Sequence, residues 1–386
     1  MESSFDNLVD RTHSDSSKWL CYKDGVLPFG VADMDFVSPE PVVRALRERA
    51  EHGVFGYPYE PRELRQVLVE RLAARYQWHV SPDALVFIPG CISGLTMACH
   101  MVGGNGGSAL IQPPVYGPFF HVPGAANLAC VKSPLACDAT GHYAQDLDRL
   151  EHDITPETRV LILCNPHNPV GRVYRREELE EVAEICLRHN LLICSDEIHC
   201  ELLYKGHPHT PIASLSPEVE AHTVTLMAPS KTFNVAGLHC AVAIIPNPEL
   251  RERFGRSGAW MVPGPNIMGF AAALAAYRDS QAWLDELLVY LEGNRDRVSE
   301  YVRTSLPGVT VVPSEGTYLA WLNCSGAGIP GNAGSFFYEQ ARVLVSGGEG
   351  YGGETHSIRL NFGCPRSMLD EGLKRMSAAL ARLHAA

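Results

Sequence analysis

Short apolar runs recur between residues 84 and 245 and alternate with segments whose apolar residues follow helical spacing. The runs that predict buried strands cover residues 84–88, 109–111, 159–163, 191–194 and 223–227. Strands that alternate with helices in this way are typical of a doubly wound α/β sheet with helices on both faces.

The remaining chain predicts an N-terminal arm and a smaller C-terminal α/β unit. Residues 1–30 are polar and aperiodic. Ser38 is a favourable N-cap before Pro39, so a helix is predicted from there to about Glu51. Further helices are predicted at 267–305 and 367–384, and further strands at 318–322 and 358–362.

Composition excludes several classes of protein. The chain has 386 residues, 46% of them hydrophobic, which is enough for more than one domain. A net charge of −12 without a basic block argues against nucleic acid or an anionic membrane as partner. The twelve cysteines lack paired C-x-x-C spacing and predict reduced thiols, so we expect no disulfides and no metal. No apolar run approaches the roughly 18 residues of a membrane span, and we expect a cytoplasmic protein.

The first candidate for chemistry is Lys231, which follows the buried run 223–227. An ammonium at the end of an apolar strand is costly to desolvate, and desolvation lowers its pKa toward the value that a Schiff-base amine needs. Ser230 beside it offers a hydroxyl to an anion. Taken alone, this tripeptide is more often a surface turn, so its interpretation depends on other stretches.

Three other stretches indicate a site at the same edge of the sheet. Residues 164–171 contain two Asn-Pro steps after a strand, which predict a rigid loop. Asp196 closes another buried strand, and carboxylates at the carboxyl ends of strands point into the ligand crevice of an open α/β sheet. Arg359 interrupts a β-patterned segment, and such an arginine requires a carboxylate partner.

In this order and spacing, the four stretches resemble the fold-type I pyridoxal-phosphate enzymes of the aspartate aminotransferase superfamily. The segments that resemble its MalY/PatB branch, the cystathionine β-lyase-like C–S lyases, are 31–36, 196–199, 230–238 and 359–365. The resemblance runs from about residue 30 to the C-terminus. It implies a homodimer built on a large, mostly parallel seven-stranded sheet.

The resemblance also implies a division into domains. Residues 1–45 would form the N-terminal arm and part of the small domain, residues 46–285 the large cofactor-binding domain, and residues 286–386 the small domain.

Roles for the cofactor-binding residues follow from the same resemblance. Lys231 is implied to bind pyridoxal phosphate covalently and then to move the α-proton as the general base. Asp196 keeps the pyridine nitrogen protonated, and His199 holds Asp196 in place. Asn168 donates to the phenolic oxygen of the cofactor, and Tyr116, grouped with the catalytic residues, stacks on its ring.

Phosphate binding is assigned to a loop that opens a helix and to a residue of the other subunit. Cys91, Ile92 and Ser93 lie where main-chain amides can hold a phosphate, and Ser230 contributes its hydroxyl. Cys91 as a nucleophile is the less favoured alternative. Tyr57 is implied to reach the phosphate of the neighbouring subunit, although its aromatic neighbourhood also fits a place in the core.

The substrate contacts are implied more loosely. Arg359 would hold the α-carboxylate with two parallel hydrogen bonds, and Asp33 either lies over the substrate or caps a turn. His239 occupies the position where many aminotransferases carry a phosphate-binding arginine, which points toward the lyase branch. The glycine-rich segment 346–356 is equally a mobile lid or a solvated loop.

The function implied is pyridoxal-phosphate-dependent β-elimination from an S-substituted cysteine, giving a thiol, pyruvate and ammonia. Transamination is one alternative, and decarboxylation with oxidation of an S-conjugated amino acid is another. An alternative from a different class is a regulatory protein that binds a transcription activator.

Overall fold

The computed structural model describes residues 3–20 and 25–385. The strands are β1 (Leu27–Pro28), β2 (Leu85–Ile88), β3 (Ser108–Ile111), β4 (Ala129–Lys132), β5 (Ala136–Cys137), β6 (Tyr143–Ala144), β7 (Thr158–Cys164), β8 (Leu192–Asp196), β9 (Thr223–Met227), β10 (Ala241–Ile244), β11 (Thr310–Val311), β12 (Leu319–Asn323), β13 (Val343–Leu344), β14 (Ser346–Gly347) and β15 (Ser357–Asn361). The helices are α1 (Ser17–Leu20), α2 (Glu40–Glu51), α3 (Arg62–Tyr76), α4 (Cys91–Gly103), α5 (Val122–Ala125), α6 (Leu147–His152), α7 (Arg176–Arg188), α8 (Pro217–Ala221), α9 (Pro229–Thr232), α10 (Pro248–Gly258), α11 (Ile267–Asp279), α12 (Gln281–Ser305), α13 (Ala333–Phe336) and α14 (Arg366–Ala385).

Seven of the described strands form the main sheet, in the order β2-β10-β9-β8-β7-β3-β4. Strand β10 is antiparallel to both of its neighbours, and the other pairs are parallel. Along β7, Val160 and Ile162 join one hydrophobic cluster, whereas Leu161 and Leu163 join another. Because successive side chains of a strand point to opposite faces, the sheet is covered on both sides. The prediction of a doubly wound, mostly parallel seven-stranded sheet is confirmed.

A smaller antiparallel sheet, in the order β11-β12-β15-β14, follows in the C-terminal part of the described chain. The N-terminal part reaches the same region, because β1 pairs in parallel with β13 in a separate two-stranded sheet. Phe29 packs in the same hydrophobic cluster as Leu373 and Met376 of α14. The division into domains stays a prediction, and α12 runs through its proposed boundary at 285/286.

Two details of the predicted helices are wrong. Ser38 does not cap α2, because its Oγ instead donates to the carbonyl of Asn234 at 2.9 Å, and the helix begins without a side-chain cap. The predicted helix 267–305 is interrupted at Ser280, whose Oγ donates to the carbonyl of Ala275 at 3.0 Å. A serine that bonds to the main chain in this way competes with the helical hydrogen-bond pattern. Within residues 3–20 and 25–385, no helix has the length and apolar character that crossing a membrane requires.

Candidate active site

The site lies at the carboxyl ends of three neighbouring parallel strands. Asp196 ends β8, Asn168 follows β7 by four residues, and Lys231 follows β9 by four residues. Since β7, β8 and β9 are adjacent and parallel, these side chains meet at one edge of the sheet. They line a cavity of about 700 Å³. Other sequence-predicted residues that line it are Cys91, Ile92, Ser93, Tyr116, His199, Ser230, His239 and Arg359.

Lys231 is hydrogen-bonded to the main chain of a segment that is distant in the sequence. Its Nζ donates to the carbonyl of Ala32 at 2.7 Å, and the hydroxyl of Tyr318 donates to the same oxygen at 2.9 Å. Burial lowers the pKa of the Lys231 amine, and the nearby charge of Arg359 lowers it further. A lowered pKa favours the neutral amine, which is the form that attacks a carbonyl and takes up a proton.

Asp196 is a buried carboxylic acid without a cationic hydrogen-bond partner among the described residues. Burial raises the pKa of Asp196 to about 7, against the opposing effect of an amide hydrogen bond and of Lys231. That hydrogen bond comes from the main-chain N–H of Ile198 at 3.2 Å. A buried carboxylate with spare acceptor capacity suits a ligand that presents a protonated ring nitrogen.

His199 does not make the expected hydrogen bond to Asp196 in the part of the chain that is described. Its Nδ1 is buried without a partner there, and its ring packs edge-on against Tyr318 with centroids 5.9 Å apart. Burial lowers the pKa of His199 well below its ordinary value, and the charges of Lys231 and Arg359 add to this effect. The imidazole is therefore neutral and carries an unused polar atom at the cavity wall.

Arg359 is a buried cation whose partners are neutral. Its Nη1 donates to Oδ1 of Asn168 at 3.0 Å, and its Nη2 donates to the carbonyl of Gly30 at 2.5 Å. The ring of Tyr351 lies 4.9 Å from the guanidinium, and Nε has no hydrogen-bond partner within the described ranges. Burial lowers the pKa of Arg359. A guanidinium buried without a carboxylate strongly favours an anionic ligand.

The start of helix α4 suits an anion as well. Helix α4 begins at Cys91 after Gly90, so its free main-chain amides face the cavity wall. The hydroxyls of Ser93 and Ser230 line the same wall. Burial raises the pKa of the Cys91 thiol well above its ordinary value, which disfavours a thiolate nucleophile there.

Two sequence-predicted residues do not line the cavity of the single chain. The carboxylate of Asp33 pairs with Arg11 at 2.8 Å and lies 3.5 Å from the ammonium of Lys18. Tyr57 is fully exposed to solvent. Their proposed roles toward substrate and partner stay predictions.

The glycine-rich segment is more packed than a solvated loop. Tyr351 is buried, and its carbonyl accepts a hydrogen bond from the N–H of Val115 at 2.9 Å. Segment 346–351 thus forms a wall that is docked on the loop carrying Tyr116.

The sequence interpretation missed the residues that hold segment 30–36 over the cavity. The side-chain amide of Asn361 donates to the carbonyls of residues 31 and 33 at 2.7 and 2.6 Å. Asn234 donates to the carbonyls of residues 34 and 36 at 2.9 and 2.8 Å. Both asparagines lie inside the motifs that carry the resemblance, so their polar character in a buried setting was an available signal.

The N-terminal arm, residues 3–20, holds the same segment by ion pairs. Asp35 is buried, and its carboxylate lies 2.6 Å from both the Arg11 guanidinium and the Lys18 ammonium. The indole N–H of Trp19 also donates to Asp35, at 2.9 Å. Nothing in the aperiodic sequence of the arm distinguishes these two cations from solvated ones.

A seven-stranded α/β sheet with a buried lysine, aspartate and arginine in one crevice defines a protein of the aminotransferase type. The family described as aminotransferase class I and II matches residues 24–376, and the chain belongs to it. The predicted family resemblance is thereby confirmed.

Full-length relatives extend this similarity. The chain is 37% identical to the cystathionine β-lyase PatB of Bacillus subtilis, over 98% of this chain and 100% of that protein. The crystal structure of OvoB superposes with a TM-score of 0.93 at 42% identity, covering 97% of this chain and 98% of the other. A pyridoxal-phosphate-bound C–S lyase from Staphylococcus hominis superposes with a TM-score of 0.92 at 31% identity, covering 98% of both chains.

Proposed function

We propose that the protein is a pyridoxal-phosphate-dependent C–S lyase that cleaves an S-substituted cysteine into a thiol, pyruvate and ammonia. The predictions of the cofactor and of a C–S lyase are confirmed by the full-length similarity to a cystathionine β-lyase and to a pyridoxal-phosphate-bound C–S lyase. The observation that carries the assignment of residues is the buried lysine with a lowered pKa, in one cavity with the unpaired carboxyl of Asp196 and the unpaired guanidinium of Arg359.

The residues present fit pyridoxal phosphate. Asp196 offers a buried carboxylate to a protonated pyridine nitrogen, and the amides of α4 with Ser93 and Ser230 offer donors to a phosphate. Tyr116 provides an aromatic ring in the lining of the same cavity. When bound, the cofactor supplies a ring that accepts electrons from Cα of an attached amino acid.

The reaction places separate demands on two side chains. Arg359 holds the substrate α-carboxylate and so orients the Cα–H bond. The Lys231 amine, which also binds the cofactor covalently, takes the proton from Cα. Negative charge at Cα then expels the sulfur from Cβ, and a thiolate is a good leaving group because a cysteine-like thiol has a pKa near ~8.5. The three-carbon remainder is hydrolysed to pyruvate and ammonia.

Elimination and transamination start from the same proton transfer, so products decide between them. The holoenzyme is incubated with cystathionine or another cysteine conjugate in the absence of a keto acid. Elimination gives continuous release of pyruvate and thiol over many turnovers, and a Lys231→Ala variant gives none. A reaction that stops after one turnover and resumes when a keto acid is added would establish transamination instead.

The homodimer is also proposed, with Tyr57 reaching the cofactor phosphate of the neighbouring subunit. Its support is the exposure of several large apolar side chains, because exposed apolar surface is a candidate for an interface. Three exposed apolar residues lie near Tyr57 in the chain, namely Val54, Phe55 and Tyr59. Two more, Trp260 and Met261, lie further along the chain. A cytoplasmic location fits the eleven described cysteines, all of which are unpaired.

A further inference from the structure

A second cavity, of about 800 Å³, opens beside the cofactor cavity. The two cavities share the wall formed by Tyr116, Leu344, Val345 and Ser346. We call the second cavity the outer groove. The two cavities are therefore adjacent, and a ligand that reaches past this wall lies in the second.

The outer groove adjoins the group that is proposed to hold the substrate α-carboxylate. Tyr351 lines the groove, and its ring lies 4.9 Å from the guanidinium of Arg359. An amino acid held at Arg359 has its carboxylate next to this wall, so the groove is the adjacent space for a long side chain. This step rests on the proposed function.

The groove is acidic. Glu339 and Glu349 both line it, and its lining contains no lysine, arginine or histidine among the described residues. Glu349 accepts one hydrogen bond, from the side-chain amide of Asn332 at 3.0 Å. Neither glutamate takes part in an ion pair within the described part of the chain. Their negative charges are therefore available to a ligand.

We propose that the outer groove binds the sulfur substituent, and that Glu339 and Glu349 select substituents with a cationic group over those with a carboxylate. A carboxylate in the groove would meet two like charges, whereas an ammonium or a protonated ring nitrogen would meet two opposite ones. The aromatic rings of Tyr338 and Tyr351 add apolar wall for the linking carbons.

The test compares conjugates of similar length that differ in the charge of their end group. The holoenzyme is assayed for pyruvate with S-(2-aminoethyl)cysteine, S-propylcysteine and S-(2-carboxyethyl)cysteine. We expect kcat/KM for the amino conjugate to exceed that for the carboxy conjugate about tenfold at low salt, and the ratio to fall as salt is added, because these carboxylates are exposed and are screened.

Substitutions of the two glutamates test whether the groove causes the preference for the amino conjugate. Glu349→Gln and Glu339→Gln should each lower the amino-to-carboxy ratio about threefold, since each removes one of two charges. Glu354→Gln is the matched control, because Glu354 is an exposed residue of the same segment that lines neither cavity. It should leave the ratio unchanged.

The outcomes separate the two levels of the proposal. Active enzyme with a ratio near one, or with a preference for the carboxy conjugate, would overturn the selectivity and leave the lyase assignment intact. An equal drop in the ratio for Glu354→Gln would show a general effect of net charge and also overturn it. If none of the three conjugates yields pyruvate or thiol, the proposed function is wrong and the selectivity falls with it.

Discussion

The side-chain nitrogen of Lys231 donates a 2.7 Å hydrogen bond to the carbonyl of Ala32, a residue 199 positions earlier in the chain. The neighbouring carbonyl of Gly30 accepts from Arg359 in the same way. Both of these proposed active-site side chains are thus positioned by main-chain oxygens of segment 30–36. That segment contributes through its backbone, so its placement matters to catalysis even where its side chains point elsewhere.

Asp196→Asn is expected to retain the cofactor and to lose activity on the order of 100-fold or more. An amide cannot stabilise a proton on the pyridine nitrogen as a carboxylate does. The measurements are kcat for thiol release and the absorbance of the bound cofactor. Normal turnover in this variant would remove Asp196 from the mechanism.

The same variant has a pH-dependent effect on the stability of the cofactor-free protein. The pKa of Asp196 is about 7 in the folded protein, above the ~3.9 of an unfolded aspartate. The folded state therefore binds the proton more tightly, and this group destabilises the fold as pH rises from about 4 to about 7. Asp196→Asn should match the wild type near pH 4 and exceed it by up to ~4 kcal/mol at pH 8. Urea unfolding of both proteins across this range checks the sign, and equal stability at pH 8 would contradict it.

Arg359→Lys should be damaging although it keeps the charge. An ammonium cannot reproduce the two parallel hydrogen bonds that a guanidinium makes to a carboxylate, nor span Asn168 and Gly30 as Arg359 does. We expect kcat/KM to fall about 30- to 1000-fold, which corresponds to a loss of roughly 2–4 kcal/mol in transition-state stabilisation.

Binding measurements locate the effect of this variant. The affinity for an amino acid without a leaving group should fall, whereas the affinity for the corresponding amine, which lacks the carboxylate, should change little. Equal losses for both ligands would place Arg359 in a structural role.

The sequence predicted the reacting side chains better than the residues that hold them in position. Lys231 and Asp196 were predictable because each follows a strongly apolar strand, and parallel strand ends must meet at one edge. The orientation of His199 was not, because it depends on packing against the ring of Tyr318, far away in the chain, rather than on local pattern. Arg11 and Lys18 were missed because ion pairs between an aperiodic arm and a loop leave no periodic signal.

The proposed exchange of Tyr57 between subunits is testable by mixing two inactive variants. Lys231→Ala lacks the catalytic amine, and Tyr57→Ala lacks the phosphate contact. In a mixed dimer, one site combines an intact Lys231 with an intact Tyr57 from the other chain. A statistical mixture should regain about a quarter of wild-type activity, because half of the dimers have one complete site. No recovery in mixed dimers that are verified by mass would show that Tyr57 does not act across the interface.

The last prediction concerns the N-terminal arm as a positioning device. Lys18 and Asp35 are both buried, and their 2.6 Å ion pair ties the arm to segment 30–36. Lys18→Met removes this ion pair and leaves Arg11 as the remaining cationic partner of the buried Asp35 carboxylate within the described residues. We expect a loss of roughly 2–4 kcal/mol in the free energy of unfolding, together with a lower kcat because the carbonyl of Ala32 is held less firmly against Lys231.

A double variant separates stability from positioning. Lys18→Met with Asp35→Asn removes both charges of this pair and leaves Arg11 paired with Asp33. It should regain part of the lost stability while kcat stays low, since the Lys18–Asp35 contact is still missing. Arg44→Gln is the control, because Arg44 pairs with Glu40 where both side chains are more than half exposed. It should cost less than about 0.5 kcal/mol and leave kcat unchanged. If the double variant recovered kcat together with stability, the arm would serve the fold alone. If kcat stays low while the free energy of unfolding is largely restored, the two buried charges act on the active site through the backbone that they hold.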